Sequence, residues 1–378
     1  MVRQANGSQR GYRMGTVELK NVWKIYDNQF EAVKGISATI NDGEFISLLG
    51  PSGCGKTSTL RMIAGLEKIS RGECLIDGIR VNDLDPGDRN VAMAFESYAL
   101  YPHLSVFDNI AYPLRIRKVP QSEIAKQVDA VCESLGISEY KDQLPSSLSG
   151  GAQQRTGLAR ALVRPASVYL LDEVLSHLDA AERTMLRGEI RRVQKLMKLS
   201  ALFVTHDQLE ALAMSDRIIV MNNGELQQIG TPEEIYDTPE NLFVAGFVGE
   251  PAMNIFSAER HRGSGQDILS IGGQEITVEE LELPWIPDQE KFMIGIRPKN
   301  LLLDSAQNPG MLRGKVHTFE MLGEYTLVSV ELASGELAFI TADTGLHMSL
   351  DEPVAFSFKP EKVLFYDAET TSRIYLRK

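Results

Sequence analysis

The sequence predicts an α/β protein in which a parallel-sheet domain precedes a small all-β domain. Three observations lead there. The stretch Gly50-Pro51-Ser52-Gly53-Cys54-Gly55-Lys56-Thr57 matches the phosphate-loop pattern and lies between a strand-like and a helix-like run. The apolar runs Val168-Tyr169-Leu170-Leu171 and Ala201-Leu202-Phe203-Val204 fit strands covered on both faces of a parallel sheet. Beyond Gly249-Glu250-Pro251 the pattern changes to short alternating runs cut by Gly, Asp and Pro, as in an all-β domain.

At 378 residues, two or three domains are expected. The net charge of -12 argues against nucleic acid as the main partner. Acidity is stronger in the last third, where residues 251–378 carry 12 Lys and Arg against 19 Asp and Glu. Cys54, Cys74 and Cys132 are unevenly spaced, give no metal signature and suit a reducing compartment. No apolar run approaches the ~18 residues of a membrane span. The polar opening, Met1 to Ser8, lacks the apolar centre of a signal peptide. Residues 1–15 are expected to be a disordered tail, with Met14 as an alternative start.

Taken in order, Val17 to Val22 alternates like a strand, and Trp23-Lys24-Ile25-Tyr26 follows. Tyr26 is either a platform for an adenine ring or an ordinary packed tyrosine. Ala32 to Ile40 is a second strand, and Asn41-Asp42-Gly43 turns into the strand Phe45 to Leu49. After the phosphate loop, Thr57 to Leu66 opens a helix with Leu60, Ile63 and Ala64 on one face. The loop glycines let several N–H groups converge on one anion, and the helix adds its positive end. Lys56 can neutralise β- and γ-phosphates, and the Thr57 hydroxyl can ligate Mg²⁺. Cys54 fills a variable position and reads as filler, not as a nucleophile.

Gly72 to Gly78 reads as strand and turn, and Val91 to Phe95 as a short buried strand. The segment after Glu96, through Ser97-Tyr98-Ala99-Leu100-Tyr101-Pro102-His103-Leu104, is aromatic without a helical period, which suits a docking loop. Residues 107–147 are mostly helical, with Ile124, Val128, Val131 and Leu135 on one face and Ser122 as a possible N-cap. Leu148-Ser149-Gly150-Gly151 opens a helix through Leu162 and offers a second anion site at its N-terminus.

The strand from Val168 ends in Asp172 and Glu173. Asp172 is placed to hold Mg²⁺ through water, and Glu173 to polarise an attacking water as general base. The strand from Ala201 ends in His206, on the sheet edge where ligands bind in open α/β sheets, which suits a γ-phosphate contact. Ile218 to Ile229 reads as a hairpin on Asn223-Gly224. Thr231-Pro232-Glu233-Glu234 reads as a capping box, and Thr238-Pro239-Glu240 as another helix start.

In this order these elements resemble the ATP-binding subunits of ABC transporters, and more narrowly the maltose and multiple-sugar importer ATPases, over residues 16–378. The resemblance implies an ABC ATPase domain over 16–250, with a helical subdomain at about 97–162, then an OB-like regulatory domain of the TOBE type over 251–378. It makes Tyr26 the adenine-stacking aromatic and Gly50 to Ser58 the phosphate-binding loop. Leu148 to Arg155 become the signature, Asp172 and Glu173 the Walker B pair, Ser176 to Asp179 the D-loop and His206 the switch histidine. It implies ATP and Mg²⁺ as cofactors and a head-to-tail pair of ATPase subunits. Each ATP then lies between one loop and the other chain's Ser149-Gly150-Gly151, with Asp179 nearby.

It also implies two transmembrane permease subunits, reached through residues 97–104, and an extracytoplasmic solute-binding protein. The chain is expected at the cytoplasmic face of the membrane, energising uptake of a sugar or polyol. Carriers of polyamine, iron or sulfate, and a non-transport ABC ATPase, are the alternatives. Four positions depart from the usual letters: Glu96 for Gln, Ala152 for Gln, Val174 for Pro and His177 for Asn. Glu96 counts among the expected catalytic and metal-binding residues but adds a negative charge near the γ-phosphate. At a few Å and an effective dielectric of ~20 that is on the order of several kcal/mol before a metal offsets it. Altered Mg²⁺ dependence or a slower basal rate is expected, and the clustered departures suit pairing with a different ATPase chain.

Overall fold

A computed structural model describes residues 15–27, 29–176, 178–262, 267–304 and 310–376. The expected tail and Met14 lie outside the described residues, apart from Gly15, whose N–H bonds Ser167 O at 3.1 Å. His177 also lies outside them. The chain divides into two compact units, one through Pro232 and one from Glu233. That division falls ahead of the change in sequence character at Gly249-Glu250-Pro251.

The first unit contains β1 (Val17–Ile25), β2 (Glu31–Ile40), β3 (Phe45–Leu49), α1 (Lys56–Ala64), β4 (Arg71–Ile76), β5 (Ile79–Arg80) and β6 (Val91–Ala94). Then come α2 (Val106–Ile116), α3 (Gln121–Ser134), α4 (Gly150–Leu162), β7 (Val168–Asp172) and α5 (Ala180–Met197). It closes with β8 (Ala201–Thr205), α6 (Gln208–Met214), β9 (Arg217–Asn222) and β10 (Glu225–Gly230). An antiparallel sheet has the order β2-β1-β4-β5. The main sheet runs β10-β9-β3-β8-β7-β6 and is parallel except for β10.

The continuous apolar runs have a simple cause. Successive side chains of a strand point to opposite faces, and both faces of the main sheet are buried. Phe45, Tyr169, Leu171 and Phe203 join the core beneath α2 to α5. Ile46, Leu48, Leu170, Leu202 and Val204, the alternate residues of the same strands, join the core shared with α1 and the antiparallel sheet. Register then aligns the carboxyl ends, with Leu49 opposite Thr205 and Asp172 opposite Val204. Whatever follows Leu49, Asp172 and Thr205 is therefore brought to one edge.

Two expected helix starts move. α3 begins at Gln121 with Pro120 as N-cap, so Ser122 lies inside the first turn and caps nothing. Proline fixes φ near the value a helix entry needs and loses no N–H that the helix would use. The helix expected from Thr238 runs instead over Leu242–Phe247, where Asn241 accepts from Val244 N. An amide side chain at the entry satisfies a free N–H that Thr238 does not reach.

The second unit has two antiparallel sheets. One orders the strands Gln274–Thr277, Asp267–Ile271, Asn254–Arg262, Lys291–Ile296, Leu364–Asp367 and Arg373–Ile374. The other orders Leu301–Asp304, Pro353–Phe358, Leu312–Met321, Thr326–Leu332 and Leu337–Ala342. Phe256, Phe292, Phe356 and Phe365 lie in their shared core. Arg297, 2% exposed, spends its guanidinium on helix-end carbonyls: Tyr236 O at 2.6 and 2.9 Å, Ala245 O at 3.3 Å and Val248 O. A buried cation at helix carboxyl ends is stabilised by the carbonyl dipoles there.

Candidate nucleotide site

The phosphate loop leaves β3 at Leu49 and enters α1 at Lys56. Its shape depends on glycine at two points. At Gly50 a Cβ would lie 2.3 Å from Met221 O, and at Gly55 one would lie 2.3 Å from Ala32 O. Gly55 has φ 99°, which only glycine adopts readily, and it offers no side-chain cap. The first N–H groups of α1 are thereby left for an outside anion. Lys56 is 4% exposed and folds back so that its ammonium donates to Gly50 O at 2.8 Å and Pro51 O at 2.9 Å. Ser52 and Gly53 are exposed, and Thr57 and Ser58 are half-buried at the mouth. Cys54 is buried beneath the loop, and that burial pushes its thiol above its ordinary pKa, which disfavours the nucleophilic thiolate.

Asp172 ends β7 and is 6% exposed. Burial, and then the nearby Glu173 carboxylate, push it up to about 6, with Glu96 adding to the effect and Arg61 and Lys56 opposing it. Its Oδ1 is buried without a hydrogen-bond partner. A carboxylate oxygen in that position lacks a cation or donor. No group of three or more His, Cys, Asp or Glu forms a metal cluster among the described residues. The unpartnered Oδ1 of Asp172 suits a single carboxylate ligand of Mg²⁺, an ion that completes its shell from phosphate and water.

Glu173 follows in the left-handed region, at φ 46°, costing on the order of 1 kcal/mol. The turn is held by Glu173 N to Val204 O at 3.0 Å and by Ser176 Oγ to Glu173 O at 2.9 Å. It turns the Glu173 carboxylate away from Asp172's burial and toward His206, whose Nδ1 lies 3.2 Å from Glu173 Oε2. His206 sits where β8 passes into α6. Asp207 caps that helix by accepting from Leu209 N and Glu210 N, and Arg183 bonds Asp207 at 3.2 Å. Asp207 was not singled out from the sequence, although an Asp before an apolar helical run is a cap signature.

Glu96 is exposed in the turn after β6, and its charge reaches Asp172. Tyr26 is 37% exposed; its hydroxyl is 3.1 Å from Ser58 Oγ and donates to Glu67 at 2.7 Å. Lys24 Nζ lies 4.7 Å from the Tyr26 ring centroid, so one ring face carries a cation. The aromatic is thus tied to the loop helix, with a face able to stack on a base.

The structure does not bring Ser149, Gly150 and Gly151 to this edge. Ser149 N-caps α4 by accepting from Ala152 N, and the atoms nearest a Cβ at Gly150 and Gly151 belong to Tyr98 and Glu182. Asp179 N-caps α5 through Glu182 N at 2.8 Å. Within one chain, then, the helix end at Ser149 stands apart from the phosphate loop. Gln154, buried on α4, donates to Val174 O, a link that no local pattern announces.

Residues 33–176 match the family model for the ABC transporter, and residues 294–365 that for the TOBE domain. The chain is 40% identical to an oligosaccharides import ATP-binding protein, MsmX, of Bacillus subtilis, over 96% of this chain and 100% of that one. It is 41% identical to a trehalose/maltose import ATP-binding protein, MalK, of Thermococcus litoralis, again over 96% and 100%. Among solved structures, the dimeric post-hydrolysis state of the cassette MJ0796 bound to ADP and Pi is 30% identical. It superposes with a TM-score of 0.53 over 57% of this chain and 98% of that one. A phosphate loop, a strand-end carboxylate and a strand-end histidine on one sheet edge, in a chain alike to these proteins along nearly its whole length, establish the lineage: the chain belongs to the ATP-binding, ATP-hydrolysing subunits of ABC transporters that carry a C-terminal TOBE domain.

Proposed function

We propose that this ATPase energises uptake of a sugar across the cytoplasmic membrane, as the peripheral subunit of an importer. The observation that carries the catalytic part is the Glu173–His206 pair, at the ends of β7 and β8 on the same edge as the phosphate loop, with β8 next to β3. The similarity to sugar-import ATP-binding proteins over 96% of the chain supports the transport part.

In this reading Tyr26 stacks on the adenine, and residues 50–58 hold the phosphates. Lys56 exchanges its loop carbonyls for β- and γ-oxygens. Thr57, Asp172 and Glu96 would hold Mg²⁺, and the orphaned Asp172 Oδ1 supports that assignment. The ion, when bound, supplies positive charge for the phosphate oxygens. Glu173 accepts the proton of the attacking water, and His206 orients Glu173 and meets the γ-phosphate. Ser149, Gly150, Gly151 and Asp179 of a second cassette close the site. That cassette is a copy or a homologous chain, with two permeases and a solute-binding protein completing the complex.

No helix among the described residues is long and apolar enough to cross a membrane, so anchoring falls to partners in this reading. The test has two arms. The purified chain should hydrolyse ATP with Mg²⁺, and Glu173→Gln should abolish turnover while keeping ATP binding; an unaffected variant rejects the site. Vesicles holding the native complex should accumulate a sugar in an ATP-dependent way. Accumulation only of a polyol, polyamine, iron or sulfate rejects the solute.

A further inference from the structure

Tyr98 and Ala99, in the turn that follows Glu96, are both left-handed, at φ 58° and 47°. Among the described residues no other two adjacent non-glycine residues share that conformation. An L side chain there crowds the backbone, so such a pair persists only where its surroundings hold it.

Here one side chain of α4 takes both carbonyls of the pair. Arg160 donates from Nη1 to Ala99 O at 2.7 Å and from Nη2 to Tyr98 O at 2.9 Å. Its guanidinium also lies 5.5 Å from the Tyr101 ring centroid. A planar fork reaches two successive carbonyls from two nitrogens held in fixed geometry, whereas an ammonium must reach both from one nitrogen on a flexible stem. Gly157 on the same helix lets the turn approach, since a Cβ there would sit 3.3 Å from Tyr98 O. On the other side, buried Asn109 of α2 accepts from Tyr101 N at 2.8 Å and donates to Tyr101 O at 3.1 Å. The turn is gripped between two helices, and α4 begins at Ser149-Gly150-Gly151.

We propose that Arg160 is a positioning residue: its fork locks the Tyr98-Ala99 pair, and so ties the place of the Glu96 carboxylate to the position of the helix that carries Ser149. Any nucleotide-driven shift at Glu96 then moves that helix, and the reverse holds equally. The proposal rests on the reading that Glu96 serves the nucleotide site.

The test uses the full chain in Arg160→Met, Arg160→Lys and the double variant Arg160→Met/Ala99→Gly. Amide exchange over residues 97–101 should accelerate about tenfold in Arg160→Met, with Arg160→Lys between it and wild type. Mg²⁺-ATPase kcat should fall about tenfold with KM within about twofold. Adding Ala99→Gly removes one left-handed cost and should recover about a third of the lost kcat. Unchanged exchange in a folded Arg160→Met overturns the clamp. Faster exchange with unchanged kcat, or no recovery by Ala99→Gly, overturns the positioning role. If Arg160→Met does not fold, Arg160→Lys carries the same comparisons. A wild-type chain without Mg²⁺-ATPase would reject the functional reading, while the exchange measurement would still decide the clamp.

Discussion

Glu173 Oε2 and His206 Nδ1 lie 3.2 Å apart, although 33 residues separate them in the chain. They meet because β7 and β8 are parallel neighbours whose carboxyl ends are in register. A general base held by a histidine is worth about 10²- to 10⁴-fold in rate. Glu173→Gln should therefore lower ATP turnover at least about hundredfold with ATP affinity nearly unchanged. His206→Ala should give a fall of similar order. Turnover with nucleotide binding measured alongside checks both; a loss of binding equal to the loss of rate would assign these residues to ground-state contacts instead.

Glu96 offers a carboxylate to a region already holding Asp172 and Glu173, and it contributes to the raised pKa of Asp172. Replacing it by the neutral amide removes one negative charge without changing shape much. Glu96→Gln should shift the Mg²⁺ concentration for half-maximal ATPase and raise basal turnover several-fold. Titrations of wild type and variant that superpose would show that the metal fully masks this charge.

The two glycines at the loop's flanks and the one at its tip are not equivalent. A Cβ at Gly50 meets the Met221 carbonyl, backbone that cannot step aside, while a Cβ at Gly53 meets nothing within 4 Å. Gly53 has φ 79°, so alanine there costs only the left-handed strain, about 1 kcal/mol. Gly50→Ala should cost more, about 2–4 kcal/mol, by forcing the loop off β9. Chemical denaturation of both variants gives the comparison; equal costs would mean the loop repacks freely.

Much of this arrangement is legible in the residues. The phosphate loop, Asp172, Glu173 and His206 each close or follow a run whose apolar continuity needs a sheet covered twice, and such sheets gather strand ends. The remainder depends on contacts between segments far apart in the chain. Arg160 on the Tyr98 and Ala99 carbonyls, Gln154 on Val174 O and Arg297 on helix-end carbonyls are polar pairings across long stretches of chain, the last two of them buried. Such pairings carry no periodicity, so nothing local distinguishes them from solvated side chains. The shift of the α3 entry to Pro120 is of another kind, in which two adjacent capping signals compete and the conformationally fixed one prevails.

Asp216 shows how the strand that feeds the phosphate loop is anchored. Its carboxylate accepts from Phe45 N at 2.9 Å, from Arg191 Nη1 at 3.1 Å and from Lys195 Nζ at 3.1 Å, with a further bond from Arg191 Nη2. In return Asp216 N donates to Phe45 O at 2.8 Å. Burial alone would push the carboxyl up, but the hydrogen bonds from Arg191, Phe45 and Lys195 prevail and hold it down at about 2. A carboxyl whose folded pKa is depressed stabilises the fold above its unfolded value, near 3.8, and loses that stabilisation as pH falls toward 2. The shift corresponds to roughly 2 kcal/mol, reduced to about 1–2 kcal/mol because the side chain is partly exposed to solvent. Asp216→Asn should therefore destabilise the chain by about 1–2 kcal/mol from pH 7 down to about pH 5, with the difference from wild type shrinking below about pH 4. Urea midpoints across that range measure it, and a pH-independent difference would assign the effect to lost hydrogen-bond geometry, not to charge.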